Sequence, residues 1–266
     1  MDFTMAAIDL DGTLLHDDMT ISGYTRDIIK KAEEKGVRIV IATGRMWSSA
    51  QPLARELSLG DVPVICYTGA WIVMCESKTI LLKEGIPRET AERILMLAKQ
   101  NEWLIQVSYE DTLYGEAPFA TEEKYRKYRT GETVYLGEAL YHPSYDPTRI
   151  IFIDPSLEKR KRIRKKIEQE FGDIVDVVFP GDDFVDVHKK NISKGSALKI
   201  LCRFWKARPE QIVSFGNTEN DVPMFHVSGL SYAVANADPA AKEAADRLCP
   251  SNNEDGVARV LEELFL

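Results

Sequence analysis

The chain has 266 residues, 44% of them hydrophobic and 29% charged, which is enough apolar material for one large core or two modest ones and excludes a largely disordered protein. With 34 Lys and Arg against 42 Asp and Glu, the net charge is −8. The surface therefore offers no general attraction to nucleic acid or anionic lipid, and a phosphate-bearing ligand needs a local positive site.

The apolar run Met5–Leu10 reads as a strand buried on both faces, stopping at Asp11-Gly12. A helix follows from Ser22, a capping residue, to Gly36, with Ile28, Ile29 and Ala32 facing inward. Strand Val37–Ala42, helix Ser48–Leu59, strand Val62–Tyr67 and the apolar segment Ala70–Met74 continue the alternation, which predicts a doubly wound α/β sheet. Val62–Cys75 carries no formal charge but is too short for the ~20 residues of a membrane span.

The middle of the chain changes character. Helix Arg88–Lys99, strand Leu104–Tyr109, a turn at Glu110-Asp111, strand Leu113–Glu116 and a polar helix at Glu122–Arg129 give way to strand Arg149–Asp154 and helix Leu157–Phe171. Strands Ile174–Phe179 and Phe184–His188 then flank a Pro180-Gly181 turn. This pattern predicts an α+β domain over residues 84–189, inserted between core segments 1–83 and 190–266. The βα alternation resumes with helix Lys194–Trp205, strand Ile212–Phe215, a short helix Val222–Val227, strand Tyr232–Ala235 and two terminal helices. Seven of the eight residues Lys159–Lys166 are basic. Leu157, Ile163, Ile167 and Phe171 supply a buried stripe there, so a solvated helix face is expected rather than a nucleic-acid patch.

Four short stretches carry chemistry. In Asp9-Leu10-Asp11-Gly12-Thr13, strand alternation puts two carboxylates on one side at the end where open α/β sheets bind ligands, and a hard cation such as Mg²⁺ relieves their repulsion. The bland alternative is an Asp-Gly turn with a capping aspartate. Thr43-Gly44-Arg45 sets a hydroxyl, an unobstructed amide and a guanidinium at a strand-to-helix turn, a phosphate cradle or an ordinary Thr-Gly turn. Ser193-Lys194-Gly195 opens a helix with a lysine able to reach a phosphoryl group, or merely water. Gly216-Asn217-Thr218-Glu219-Asn220-Asp221 places carboxamide and carboxylate groups after a strand, suited to a metal or to capping the next helix. The cysteines Cys66, Cys75, Cys202 and Cys249 form no C-x-x-C pair, so reduced buried thiols are expected.

Taken in order, D-x-D-G-T, the strand-end Thr, the Lys and the G-N-x-x-N-D loop resemble the haloacid dehalogenase superfamily, and the insertion resembles its Cof-type branch with an α+β cap. Tyr67-Thr68-Gly69-Ala70, where that branch often has Asn-Gly-Ala, and Ser251–Ala258 add to the likeness. The resemblance implies a phosphatase for a small phosphorylated metabolite, with Asp9 as nucleophile and Asp11 as general acid and base. It also implies that Thr43, Gly44, Lys194 and Asn220 bind phosphate and that Mg²⁺ is held at Asp9, Asp11, Asn217 and Asp221. Arg45 is a candidate substrate contact. Asn217 stands where the family normally has a metal-binding aspartate, which keeps a weakly active phospho-ligand-binding protein open as an alternative; a phosphomutase is another. A cytoplasmic monomer or weak homo-oligomer, with no nucleic-acid or membrane partner, is expected.

Overall fold

The computed structural model describes residues 3–126, 131–180 and 183–266. The chain divides into two compact units: Met1–Gly44, Ala50–Leu81 and Ser193–Leu266 form the first, Arg45–Ser49 and Leu82–Ile192 the second.

The first unit is built on strands β1 (Met5–Ile8), β2 (Arg38–Ala42), β3 (Pro63–Cys66), β4 (Trp71–Met74), β5 (Ile80–Lys83), β12 (Ile212–Gly216), β13 (Leu230–Val234) and β14 (Arg247–Cys249), in the order β14-β13-β12-β1-β2-β3-β4-β5. From β14 through β3 every pairing is parallel; β3 and β4 pair antiparallel. All four residues of β1 and of β3 are buried, the reason these strands read as unbroken apolar runs. Helix α1 (Gly23–Glu34) starts where Ser22 accepts the Thr25 amide and buries Ile28, Ile29 and Ala32. The chain continues into α2 (Trp47–Glu56), α6 (Lys194–Trp205), α7 (Val222–Phe225), α8 (Pro239–Ala244) and α9 (Gly256–Phe265).

Two elements of this unit escape the sequence pattern. The edge strand β5 is short and, though its first three residues are apolar, none of its residues is buried, and β14 has three residues of which two are exposed, so neither is long or buried enough to stand out as a strand of the core. The first strand ends two residues earlier than expected, because Leu10–Leu14 forms an irregular turn in which Leu15 donates its amide to the Leu10 carbonyl at 2.9 Å.

The second unit has a six-stranded sheet: β6 (Ile105–Tyr109), β7 (Thr112–Gly115), β8 (Val134–Tyr135), β9 (Arg149–Ile153), β10 (Val175–Val178) and β11 (Phe184–Lys189), in the order β10-β11-β9-β6-β7-β8. Its pairings are antiparallel except β7 with β8. Helices α3 (Arg88–Gln100) and α5 (Leu157–Phe171) cover one face, their Ile94, Leu95, Ile163, Ile167 and Phe171 packing with Val107, Ile150, Phe152, Val185 and Val187. Trp103 joins that core edge-on to Phe152. Alternate residues point the other way, among them Arg149 and Asp186, paired at 2.9 Å.

Along α5 the basic run is an ion-paired surface. Arg164 meets Glu168 at 2.9 Å and Lys166 meets Glu170 at 2.7 Å, while Arg160 is buried and lies, with Arg164, over the Phe179 ring. Leu157, expected in the buried stripe, is 47% exposed, since the first helical position lies beyond the edge of the packed face. Of the helix expected at Glu122–Arg129, Glu122–Tyr125 forms helix α4; residues 127–129 of that expectation, and Gly181 of the Pro180-Gly181 turn, lie outside the described residues. The four cysteines are buried thiols outside any disulfide. Among the described residues no helix is long and apolar enough to cross a membrane.

Candidate active site

Strands β12, β1 and β2 lie side by side and parallel, and the residues directly after their carboxyl ends are Asn217, Asp9 and Thr43. The connections run one way from β1 to β3 and the other way from β12 to β14. The three residues thus stand at the topological switch point, where neighbouring loops diverge and leave a crevice.

Asp9 prolongs β1 by one hydrogen bond, its amide donating to the Phe215 carbonyl at 3.1 Å. The backbone then turns at Gly12, whose φ is +71°. A Cβ at Gly12 would stand 2.5 Å from Asn217 Nδ2, so the Asn217 amide packs against the D-x-D-G-T turn and would have to swing aside for any side chain there. Asp11, half-buried, sits between Asp9 and Gly12.

Lys194 is the first residue of α6, whose start is fixed by reciprocal bonds between Ser193 and Ser196. Its side chain is fully buried, and Nζ donates to Asp9 Oδ1 and to Asp221 Oδ1, both at 2.6 Å. Burial opposes the ammonium, but the charges and hydrogen bonds of Asp221 and Asp9 outweigh it and hold the Lys194 pKa above its ordinary value. Asp9 responds in the other direction. Burial above all, joined by the like charges of Asp221 and Asp11, raises its carboxyl to about 7 against the downward pull of Lys194. One ammonium is shared by two buried carboxylates, so Asp9 remains under-compensated.

Asp221, expected among the metal ligands, has both oxygens engaged by the chain's own donors. Oδ1 takes Lys194, while Oδ2 accepts the amides of Asn217 at 2.8 Å and Thr218 at 3.1 Å. It holds the lysine and the loop together.

On the other side of Asp9, Thr43 is buried, and its carbonyl accepts the Thr68 amide at 3.1 Å. The next turn, at Gly44, lies beside Thr68 and Asn220: a Cβ on Gly44 would be 3.4 Å from Thr68 Oγ1 and 3.7 Å from Asn220 Nδ2. Asn220 Oδ1 accepts from Thr218 Oγ1 at 2.8 Å, which turns its Nδ2 toward Gly44. Arg45 follows, half-buried.

Two residues assigned no role from the sequence, Asn236 and Asn252, brace the D-x-D-G-T turn. Asn236 Nδ2 donates to the Gly12 carbonyl at 2.8 Å, and its Oδ1 accepts the Asn252 amide at 3.0 Å. Asn252, buried, donates from Nδ2 to the Leu15 carbonyl at 2.9 Å and to Asp17 at 3.0 Å. The signal for Asn236 was its place just past β13, the parallel neighbour of β12.

The donor set suits Mg²⁺. Asp9 supplies a carboxylate, Asp11 a backbone carbonyl and Asn217 a carboxamide oxygen, all hard donors. Asp9, Asp11, Asp221 and Lys194 together carry two more negative than positive charges when ionised, which one divalent cation balances. Among the described residues no three His, Cys, Asp or Glu side chains close around a cation position. A magnesium ion characteristically takes only one or two carboxylates and completes its shell with water and substrate phosphate.

A buried carboxylate, a lysine against it and a hydroxyl-amide turn at a sheet's switch point are the parts an α/β phosphoryl-transfer site needs. The chain belongs to the haloacid dehalogenase-like hydrolase family, whose model matches residues 6–261. It is 25% identical to the Bacillus subtilis 5-amino-6-(5-phospho-D-ribitylamino)uracil phosphatase YitU, covering 98% of this chain and 97% of that protein. To the Escherichia coli pyridoxal phosphate phosphatase YbhA it is 25% identical, covering 96% of each. A solved structure from Thermotoga maritima superposes with a TM-score of 0.80 at 32% identity, covering 98% of this chain and 97% of that one.

Proposed function

We propose that the protein is a cytoplasmic, Mg²⁺-dependent phosphatase acting on a small phosphomonoester through a phosphorylated Asp9. The observation that carries this reading is the Lys194 ammonium, 2.6 Å from Asp9 Oδ1: it lets an ionised carboxylate persist in a buried site and meet a dianionic phosphate without prohibitive repulsion.

An Asp9 oxygen attacks phosphorus and the P–O bond to the leaving group breaks; the departing oxygen takes a proton from Asp11. Asp11, now ionised, removes a proton from water, the water oxygen attacks the phosphorus of the aspartyl-phosphate, and Asp9 is released with inorganic phosphate. Thr43, the Gly44 amide, Asn220 and Lys194 hold the phosphoryl oxygens as charge shifts among them. Asp221 acts through Lys194 and the loop. Asp9, the Asp11 backbone carbonyl and Asn217 would hold Mg²⁺, which when bound neutralises phosphoryl charge and orients the phosphorus. Residues 84–189 act as a cap that selects the organic part of the substrate, with Arg45 as a contact; the relatives' named substrates suggest a phosphorylated primary alcohol.

The test is phosphate release over a panel of sugar phosphates, pyridoxal phosphate and nucleoside monophosphates, with Mg²⁺ and with EDTA. Metal-dependent release from a subset supports the reading. No release from any substrate would favour the phospho-ligand-binding alternative, and an isomerised sugar phosphate in place of free phosphate would favour a mutase.

A further inference from the structure

We infer that the Thr68 hydroxyl is an additional donor to the phosphoryl group, a role resting on the phosphate cradle proposed above. Three independent features single it out. First, Thr68 is 1% exposed and its Oγ1 has no hydrogen-bond partner. A buried hydroxyl left unsatisfied forfeits its hydration without return, and native structures keep such groups where something else fills the bond.

Second, the backbone is strained to put it there. Tyr67 and Thr68 adopt φ of +50° and +57°, followed by Gly69 at +112°. Left-handed geometry is rare for a β-branched residue and clusters at functional sites where the surroundings over-determine it.

Third, those surroundings are the cradle itself. The Thr68 amide is bonded to the Thr43 carbonyl, its Oγ1 lies beside Gly44, and a Cβ on Gly69 would stand 2.2 Å from the Ser193 carbonyl oxygen and 3.0 Å from the Lys194 nitrogen. The 67–69 turn is wedged between the hydroxyl-amide turn after β2 and the start of the helix that carries Lys194. An O–H group presented between these anion-binding elements matches a phosphoryl oxygen, an acceptor that bears charge.

Replacing Thr68 by Val removes the hydroxyl and keeps the branched shape, so its effects on function and stability separate. The full-length Thr68→Val protein should hydrolyse its best phosphomonoester with kcat/KM reduced about 10- to 100-fold, the range for a hydrogen bond to a charged group. It should lose inhibition by orthovanadate and inorganic phosphate by a similar factor. Its thermal midpoint should stay level or rise, because an unsatisfied polar group is gone. Thr68→Ser, which retains the hydroxyl, should keep kcat/KM and both inhibition constants within about threefold of the wild type. Unchanged kcat/KM and inhibition in Thr68→Val would overturn the assignment, as would equal losses in Thr68→Ser and Thr68→Val. Should Thr68→Val fail to fold, the hydroxyl would be structural and the assignment wrong. Failure of the cradle is a different outcome, a wild-type enzyme that neither anion inhibits, and it would take this assignment with it.

Discussion

Asp9→Asn should make the protein inactive and more stable, with the stabilisation appearing as pH rises. Asp9 and Asp221 share the one Lys194 ammonium, and burial pushes the Asp9 carboxyl from 3.8 up to about 7. A carboxyl whose folded pKa lies above its unfolded value favours the folded state fully below the unfolded pKa and loses that contribution as pH climbs to the folded one. The loss runs from about pH 4 to about pH 7, and three pKa units correspond to about 4 kcal/mol as an upper bound. Asparagine keeps the volume and an oxygen to accept from Lys194 but carries no charge. In EDTA at pH 8, Asp9→Asn should therefore be about 2–4 kcal/mol more stable than wild type, a rise of about 5–10 °C in thermal midpoint for a chain of this size. At pH 4 the gap should nearly vanish. The assay is urea or thermal unfolding of both proteins at several pH values, beside phosphate release. A variant less stable at pH 8, or an advantage that does not change with pH, would refute the view of Asp9 as an under-compensated buried charge.

Lys194→Met removes the shared counter-ion instead, and should cost about 3–5 kcal/mol at pH 8, measured by urea unfolding, because it leaves buried carboxylates unpaired. Asn217→Asp places a charged oxygen beside the Gly12 turn and should lower the Mg²⁺ concentration for half-maximal phosphate release; equal titrations in the two proteins would put residue 217 outside the metal shell. Asn236→Ala deletes the bond to the Gly12 carbonyl, and since the side chain is exposed the thermal midpoint should move little, while kcat falls about tenfold with KM nearly constant, as expected for a displaced catalytic turn.

The parallel core and the placing of polar residues at its strand ends were legible because both follow from local pattern. β1 and β3 are buried throughout, and Asp9, Thr43 and the 217–221 loop each come directly after a strand. Lys194 was legible as a helix-opening residue. What could not be read was that its ammonium lies between Asp9 and Asp221, since this joins three stretches separated by 185 and 27 residues. Nor was it legible that Asp221 binds the amides of its own loop, because a loop sequence does not disclose which way a carboxylate oxygen turns. The bracing pair Asn236 and Asn252 and the orphaned Thr68 hydroxyl depend on tertiary approach alone. The missed strands β5 and β14 are edge strands of four and three residues, too short to show a strand pattern and placed by backbone pairing.

The most direct test of the account is to trap the covalent intermediate. The enzyme is mixed with a substrate from the panel and Mg²⁺, quenched in acid within a turnover and treated with borohydride, which reduces an acyl phosphate and converts the aspartate that carried it to homoserine; peptide mass spectrometry then locates the change. Homoserine at position 9, absent without substrate and absent in Asp9→Asn, is the predicted result. Homoserine at Asp11 or Asp221, or an enzyme that turns over without modification at any aspartate, would contradict the assignment of Asp9 as the nucleophile.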